Sequence, residues 1–508
     1  MAAHRDDHYD AIIIGGGLGG LTAGAKLSRE GRRVLLIEQH RVVGGCATTF
    51  RRKEYAVEVG LHMIDGLDQL DSKRAILEDL EIFNNVEFVP VPEFYRFVGS
   101  KADIVVPCSI DSARATLTSA FPDETKGIDA FFSTLAGTRQ ELARMPQKKW
   151  QQVLMFPLFP LLFPKITSGS KQTLGGFLEK TIRSEELKLV LSANVFYYGD
   201  DPYTLSLLFF AVAQASYFMG GGHFVKGGSQ RLSDHLARFI QDNGGAVLTG
   251  HEATGIVIRN GRASGVRFRK TRDGEEQEAS GTAIIANASI PSVVNDLLPR
   301  GSAPAAFVDR VNRMTPSPSV LSLYLGFKTP PKELGNRCYS TLLYDGVERL
   351  RDVGAKAYGG FDERPIAFVD YSQIDSGLAP AGKSLGVVAT VDSLSDWEGL
   401  PAEEYQAKKE QVAQTLIGRL NRLIPGISEA IEYQEVATAK TILRYTRNPH
   451  GSITGFAQTP EQSLVKRIGA RSPVDGLYFA SAWAFPGGGF SGAMMSGHLA
   501  ALQVLRRR

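Results

Sequence analysis

Gly15, Gly17 and Gly20, followed about twenty residues later by Glu38, have the residue types and spacing to hold an adenine dinucleotide. A glycine at 15 permits a tight turn, one at 17 lets the backbone come up against a pyrophosphate, and one at 20 lets a helix pack close to a strand. Glu38 suits an adenosine ribose, whose hydroxyls it accepts, and disfavours a 2′-phosphate. Taken alone, this pattern does not choose between NAD and FAD. No metal-ligand spacing, nucleophile elbow or carboxylate pair stands beside it, so no metal is expected.

Such residues need a buried strand, a turn and a helix to position them. The apolar run 11–14 enters the turn, and Ala23, Gly24 and Ala25 give the helix that leaves it a small face. A second apolar strand, 33–37, delivers Glu38. Gly44 and Gly45, with Thr48 behind them, bring backbone amides to a second phosphate or a ring system. A third glycine-rich entry, Pro486-Gly-Gly-Gly-Phe-Ser-Gly492, follows a short strand at 476–480 and opens a terminal helix, where free N–H groups and the helix dipole favour negative charge. Between them, 227–240 reads as a turn and helix, and 244–248, 251–258, 261–268 and 281–288 read as strands.

With these blocks in order, together with the extended segment Tyr55, Glu58, Gly60, the chain resembles the FAD-dependent superfamily of phytoene desaturases, carotenoid isomerases and retinol saturases. Glu58 departs from the Asp more usual in that family. The resemblance implies FAD rather than NAD as cofactor. It also implies an α/β fold: a Rossmann-type FAD-binding domain, discontinuous over 1–70, 223–300 and 446–508, with an inserted α+β substrate domain from 71–222 and 301–445, in a flavin amine-oxidase-like architecture. Carried over residue by residue, it implies cofactor contacts at Gly15, Gly17, Gly19, Gly20, Glu38, Gln39, Gly44, Gly45, Thr48 and His62. Further along, it implies contacts at Ala253, Asn287, Ala288, Gly488, Gly489, Ser491, Gly492 and Ala493.

A flavin carries its own redox chemistry, so side chains for catalysis are named by proximity to these motifs: His62, His223 and Trp483. His62 has the chemistry to move a proton beside the ring; the plainer reading is a packed histidine bonded to backbone. Trp483 and Phe485 would stack on the ring or wall it off, and Tyr217, Phe218 and His223 would line a cavity beneath it. Cys46, without a partner cysteine, reads as a filler of a small apolar gap.

The activity this implies is that of an FAD-dependent oxidoreductase acting on carbon–carbon bonds of a long hydrophobic polyene, carotenoid- or retinoid-like. Saturase, desaturase and redox-dependent isomerase reactions remain open, with hydride transfer at flavin N5 and an unidentified electron donor or acceptor. The spacing around Gly44–Phe50 and Pro486–Gly489 lies nearer the isomerase and saturase branch. The alternatives are an amine-oxidase-like flavoenzyme and a prenyl- or lipid-binding escort protein without catalysis.

At 508 residues the chain is long enough for two domains. Its 57 Lys plus Arg nearly balance 54 Asp plus Glu, which gives no case for a nucleic-acid partner. Three scattered cysteines fit a reducing compartment, and the polar start lacks the apolar core of a secretory signal, so a cytoplasmic location is expected. No apolar run reaches the length of a membrane span. The apolar stretch 155–163, with Lys148 and Lys149 before it and Lys165 and Lys171 after, has two readings. One is a segment (150–166) that dips into one leaflet at the inner face of a membrane, and the other is a lid over a ligand cavity. The run 205–213 reads as a core helix beside that cavity. Strands at 319–327, 366–371 and 385–391, backed by a helix at 403–423, would form its wall.

Overall fold

The computed structural model describes residues 8–69, 71–145, 155–272 and 274–506. Two seven-stranded sheets organise the chain. In the first, the order is Ala246–Thr249, Val34–Glu38, His8–Ile14, Gln277–Ala286, Arg262–Lys270 and His251–Arg259, with Leu477–Phe479 paired to Gln277–Ala286 as well. The four strands nearest the first are parallel to it or to its neighbours. A parallel sheet is covered on both faces, which is why its central strands are continuously apolar rather than alternating. Ala11 and Ile13 pack on the side of the helices Leu18–Arg29 and Gln230–Asp242, while Ile12 and Ile14 pack on the other side with Ile256, Val266 and Phe268.

The second sheet runs Ile431–Ala437, Ser319–Phe327, Ser384–Asp392, Ile366–Asp370, Ser340–Tyr344, Tyr95–Gly99 and Asp103–Val106. Its faces differ. Leu321, Leu323, Leu325 and Phe327 pack under the helix Ala402–Leu423, against Leu416 and Leu420, while Val320, Ser322 and Ala389 face a large cavity. The expected strands and backing helix are thus present. The strands at 95–106 are an addition to the expected ones, and non-local pairing of Tyr95–Gly99 with Ser340–Tyr344 makes them part of the sheet.

The helix Leu207–Gly220 covers the expected core run, apolar nearly all round, and stops at Gly221, whose φ of 72° suits glycine. A small third sheet joins Ile64–Asp65, Gly222–Val225 and Phe88–Pro90. Lys148 and Lys149 lie outside the described residues, as do residues 150–154 of the segment 150–166. Of the remainder, Phe159 and Ile166 line the cavity while Leu158, Leu161 and Leu162 are exposed, so the segment is a wall on one face and an apolar surface on the other.

Candidate functional site

One cavity of about 1880 Å³ runs between the two sheets. At one end it meets the first glycine turn, where Gly15 (φ 93°) and Gly17 line it. Glu38 follows its strand into the same place: one carboxylate oxygen accepts the Gly16 N–H at 2.7 Å and the other the His40 N–H at 2.8 Å. A carboxylate has about four acceptor sites, so both oxygens keep capacity for a ribose hydroxyl. Gln39, Gly44, Gly45, Ala253, Asn287 and Ala288 also line this end. A register shift between Ala253 and Gly255 interrupts the ladder there, the usual way a strand re-aims backbone at a site.

Not every expected contact faces the cavity. Gly19 and Gly20 do not line it: a Cβ on Gly19 would collide with the Ala480 carbonyl and one on Gly20 with the Gly15 carbonyl, so both serve close packing of helix on strand. Thr48 turns its hydroxyl to Gln230 instead. His223 is drawn into the third sheet, where its backbone pairs with Ile64 and Pro90, and its side chain is not among those lining the cavity. Phe218 likewise points into the core against Phe94 and Phe132, leaving Tyr217 on the cavity wall.

At the other end, the turn Gly487–Gly489 opens the helix Gly489–Leu505, and Gly488, Gly489, Ser491, Gly492 and Ala493 all line the cavity. A Cβ on Gly489 would meet nothing within 4 Å, and Gln458 beside the turn is buried with both amide atoms unpartnered among the described residues. Open space over a helix N-terminus, a second glycine cradle and an orphaned amide form a donor set that fits FAD. Trp483 lines this region but is locked in place, its ring edge-on to Phe456 and its Nε1–H donated to Asn448 at 3.1 Å. That makes it a wall.

His62 lies between the two ends, on a segment strapped from both sides. Glu58 accepts the Gly60 and Leu61 N–H groups. Three tyrosine hydroxyls donate to its carbonyls: Tyr324 to Val59, Tyr371 to Leu61 and Tyr339 to His62. The His62 side chain reaches Tyr197, Nδ1 to hydroxyl at 2.8 Å, and burial lowers its pKa to about 4. Burial also raises Tyr197, so the pair is neutral around pH 7. The plainer sequence reading, a histidine bonded to backbone, does not describe this side chain.

Asp65 is a lining residue that no sequence motif marks. Its burial acts to raise its pKa, but the Lys73 ammonium at 3.2 Å and the Ser491 hydroxyl hold it below the ordinary value. Lys73 pairs with Asp71 as well, at 2.5 Å, so one ammonium is shared between two carboxylates, and the Ser216 and Ser491 hydroxyls donate to them in addition.

A family model described as flavin containing amine oxidoreductase matches residues 18–505 of this chain. The chain is 29% identical to the chloroplastic prolycopene isomerase of Arabidopsis thaliana, over 98% of this chain and 82% of that protein. It is 26% identical to the all-trans-retinol 13,14-reductase of Danio rerio, over 94% of this chain and 83% of that protein. Among solved structures, cyclohexylamine oxidase from Brevibacterium oxydans shares the fold with a TM-score of 0.64 and 18% identity, covering 98% of this chain and 99% of that one.

Proposed function

This chain belongs to the flavin-containing amine oxidoreductase family and is an FAD-dependent oxidoreductase; we propose that it acts on a carbon–carbon bond of a long apolar polyene. Prolycopene isomerase and retinol reductase, among its relatives, support that substrate class. The observation that carries the reading is the cavity. At about 1880 Å³ it exceeds the roughly 300–1,000 Å³ of ordinary small-ligand pockets. It therefore has room for a dinucleotide together with an extended substrate. Beyond the glycine turns its walls are apolar, including Phe159, Phe196, Leu208, Phe209 and Val212.

Gly15, Gly17, Glu38 and the Gly44–Gly45 pair would hold the adenosine and pyrophosphate of FAD, and Gly488 to Ala493 its ring end. When bound, FAD supplies the redox chemistry, hydride exchange at N5 with one carbon of the substrate bond. His62 and Tyr197 form a neutral hydrogen-bonded pair that would orient substrate in the cavity, because burial disfavours the imidazolium or phenolate that a net proton transfer would leave on it. The apolar walls exclude water from the hydride exchange. Division into an FAD part (1–70, 223–300, 446–508) and a substrate part (71–222, 301–445) is supported by the strands of the two large sheets.

No helix among the described residues is long and apolar enough to cross a membrane. Leu161 is nonetheless 77% exposed beside the cavity-lining Phe159, with exposed Lys171 following. This surface would rest on an anionic leaflet and pass apolar substrate from bilayer to cavity.

The deciding experiment mixes photoreduced, FAD-loaded protein with carotenoids and retinoids under anaerobic conditions. A geometric shift of the polyene spectrum without net oxidation is the signature of isomerisation. Loss of polyene absorbance with reoxidation of the cofactor identifies saturation, and the reverse, starting from oxidised protein, desaturation. Inertness toward every polyene, with peroxide formed from an amine, would replace this reading with the amine-oxidase one.

A further inference from the structure

Two polar side chains crowd the turn Gly487–Gly489, and neither belongs to a glycine motif. Gln458 is 2% exposed and lines the cavity, and its amide nitrogen lies 3.4 Å from where a Cβ on Gly488 would sit. Its backbone is fixed, since its carbonyl accepts the Ser206 N–H at 2.7 Å, yet neither its amide nitrogen nor its amide oxygen has a partner among the described residues. Leaving a buried donor or acceptor unpaired costs about 1–3 kcal/mol per group, so such a side chain is explained by a ligand that supplies both halves.

Arg467 lies under the same turn: a Cβ on Gly487 would collide with its guanidinium. It is 4% exposed and donates only to carbonyls, those of Phe456 (3.0 Å), Thr454 (3.3 Å) and Ala482 (2.8 Å). Its Nε has no partner, and no carboxylate among the described residues forms an ion pair with it. Burial lowers its pKa to about 9, which leaves it charged at neutral pH. A buried cation without a counter-charge is unfavourable in isolation and becomes favourable when negative charge collects nearby.

We propose that Gln458 and Arg467 form a seat for the imide edge of the flavin ring, Gln458 pairing with its alternating N–H and C=O groups and Arg467 stabilising the negative charge that reduction places there. The seat rests on the FAD reading above and assigns the ring's electron demand to two residues outside the glycine motifs. An amide offers donor and acceptor side by side, which matches that edge. The guanidinium acts from behind the glycine turn, as a fixed charge in a dry site.

The test measures two quantities on purified protein. One is the dissociation constant for FAD, by fluorescence quenching. The other is the dissociation constant for sulfite, whose addition to the oxidised ring reports its electron demand. Gln458→Leu should weaken FAD binding by about threefold to tenfold, the net worth of one or two hydrogen bonds. Arg467→Met should weaken sulfite binding about tenfold or more, and Arg467→Lys should recover most of that loss. If Arg467→Met does not fold, Gln458→Leu and Arg467→Gln decide the matter. Arg467→Gln keeps amide donors for the carbonyls but not the charge, and should bind sulfite about tenfold more weakly. Wild-type sulfite binding in it would overturn the role of Arg467, and Gln458→Leu should bind FAD more weakly. Wild-type constants for both ligands in Gln458→Leu would overturn the seat while leaving the FAD reading intact. Failure of the wild-type protein to take up FAD would instead overturn the reading beneath it.

Discussion

Gly497, on the terminal helix, packs so closely on Gly19 of the first helix that a Cβ at 497 would collide with the Gly19 carbonyl. Gly19 in turn has no room for a Cβ against Ala480. The two helices that open from the first and last glycine turns are therefore in backbone contact, which sets the spacing of the two ends of the cofactor site.

That contact predicts that Gly497→Ala destabilises the fold by about 1–3 kcal/mol, because backbone cannot give way as a side-chain tip would. FAD affinity should fall with it, since the crossing spaces the two turns. Gly418, exposed in the helix Ala402–Leu423 with nothing within 4 Å of its would-be Cβ, is the control. Gly418→Ala should stabilise by about 0.5–1 kcal/mol. Urea denaturation of both variants checks the opposite signs.

Glu58 predicts a second loss. Besides Gly60 and Leu61 it accepts the Ser229 N–H at 2.7 Å and the Ser229 hydroxyl at 2.8 Å; the Leu61 and Ser229 bonds are buried and the Gly60 bond partly so. Glu58→Ala would orphan three backbone donors and should cost about 3 kcal/mol or more. Glu58→Asp keeps the carboxylate and should lose less, by the same denaturation assay.

A pH dependence follows from His62. Its folded pKa of about 4 lies below its ordinary 6.5, so the folded protein binds fewer protons than the unfolded chain between those values. Its contribution is complete above pH 6.5 and is lost as pH falls toward 4, by about 3 kcal/mol. His62→Gln should remove that part of the slope, so that wild type and variant differ in stability loss between pH 7 and pH 4. Because the imidazole stays neutral, turnover should show no ionisation of His62 between pH 6 and pH 8.

The apolar surface at 158–162 predicts vesicle attachment. Leu158 and Leu161 are 55% and 77% exposed, and burying one such side chain is worth about 1.5–3 kcal/mol. Leu158→Asp with Leu161→Asp should lower partitioning onto anionic vesicles by about tenfold or more in a flotation assay. Equal partitioning of wild type and double variant would remove the membrane role from this surface.

The sequence by itself determined the parts whose physics is local. The run 11–14 forms the expected strand, and Ser319–Phe327 has the bounds its apolar pattern predicts, because burial periodicity and backbone hydrogen bonding are fixed by neighbours along the chain. The turn glycines at 15, 44, 45 and 487–489 were legible for the same reason: each takes a positive φ that few other residues adopt. What it could not determine was which side chains those turns would meet. His223 follows a glycine like any cavity residue, but strand pairing with Ile64 and Pro90 takes it away. Tyr197 meets His62 from 135 positions along the chain, and Gln458 and Arg467 lie in a stretch with no periodicity or motif to mark them. Only the tertiary structure brought these groups to one cavity, because it alone decides which buried polar atoms are paired within the protein and which are left for a ligand.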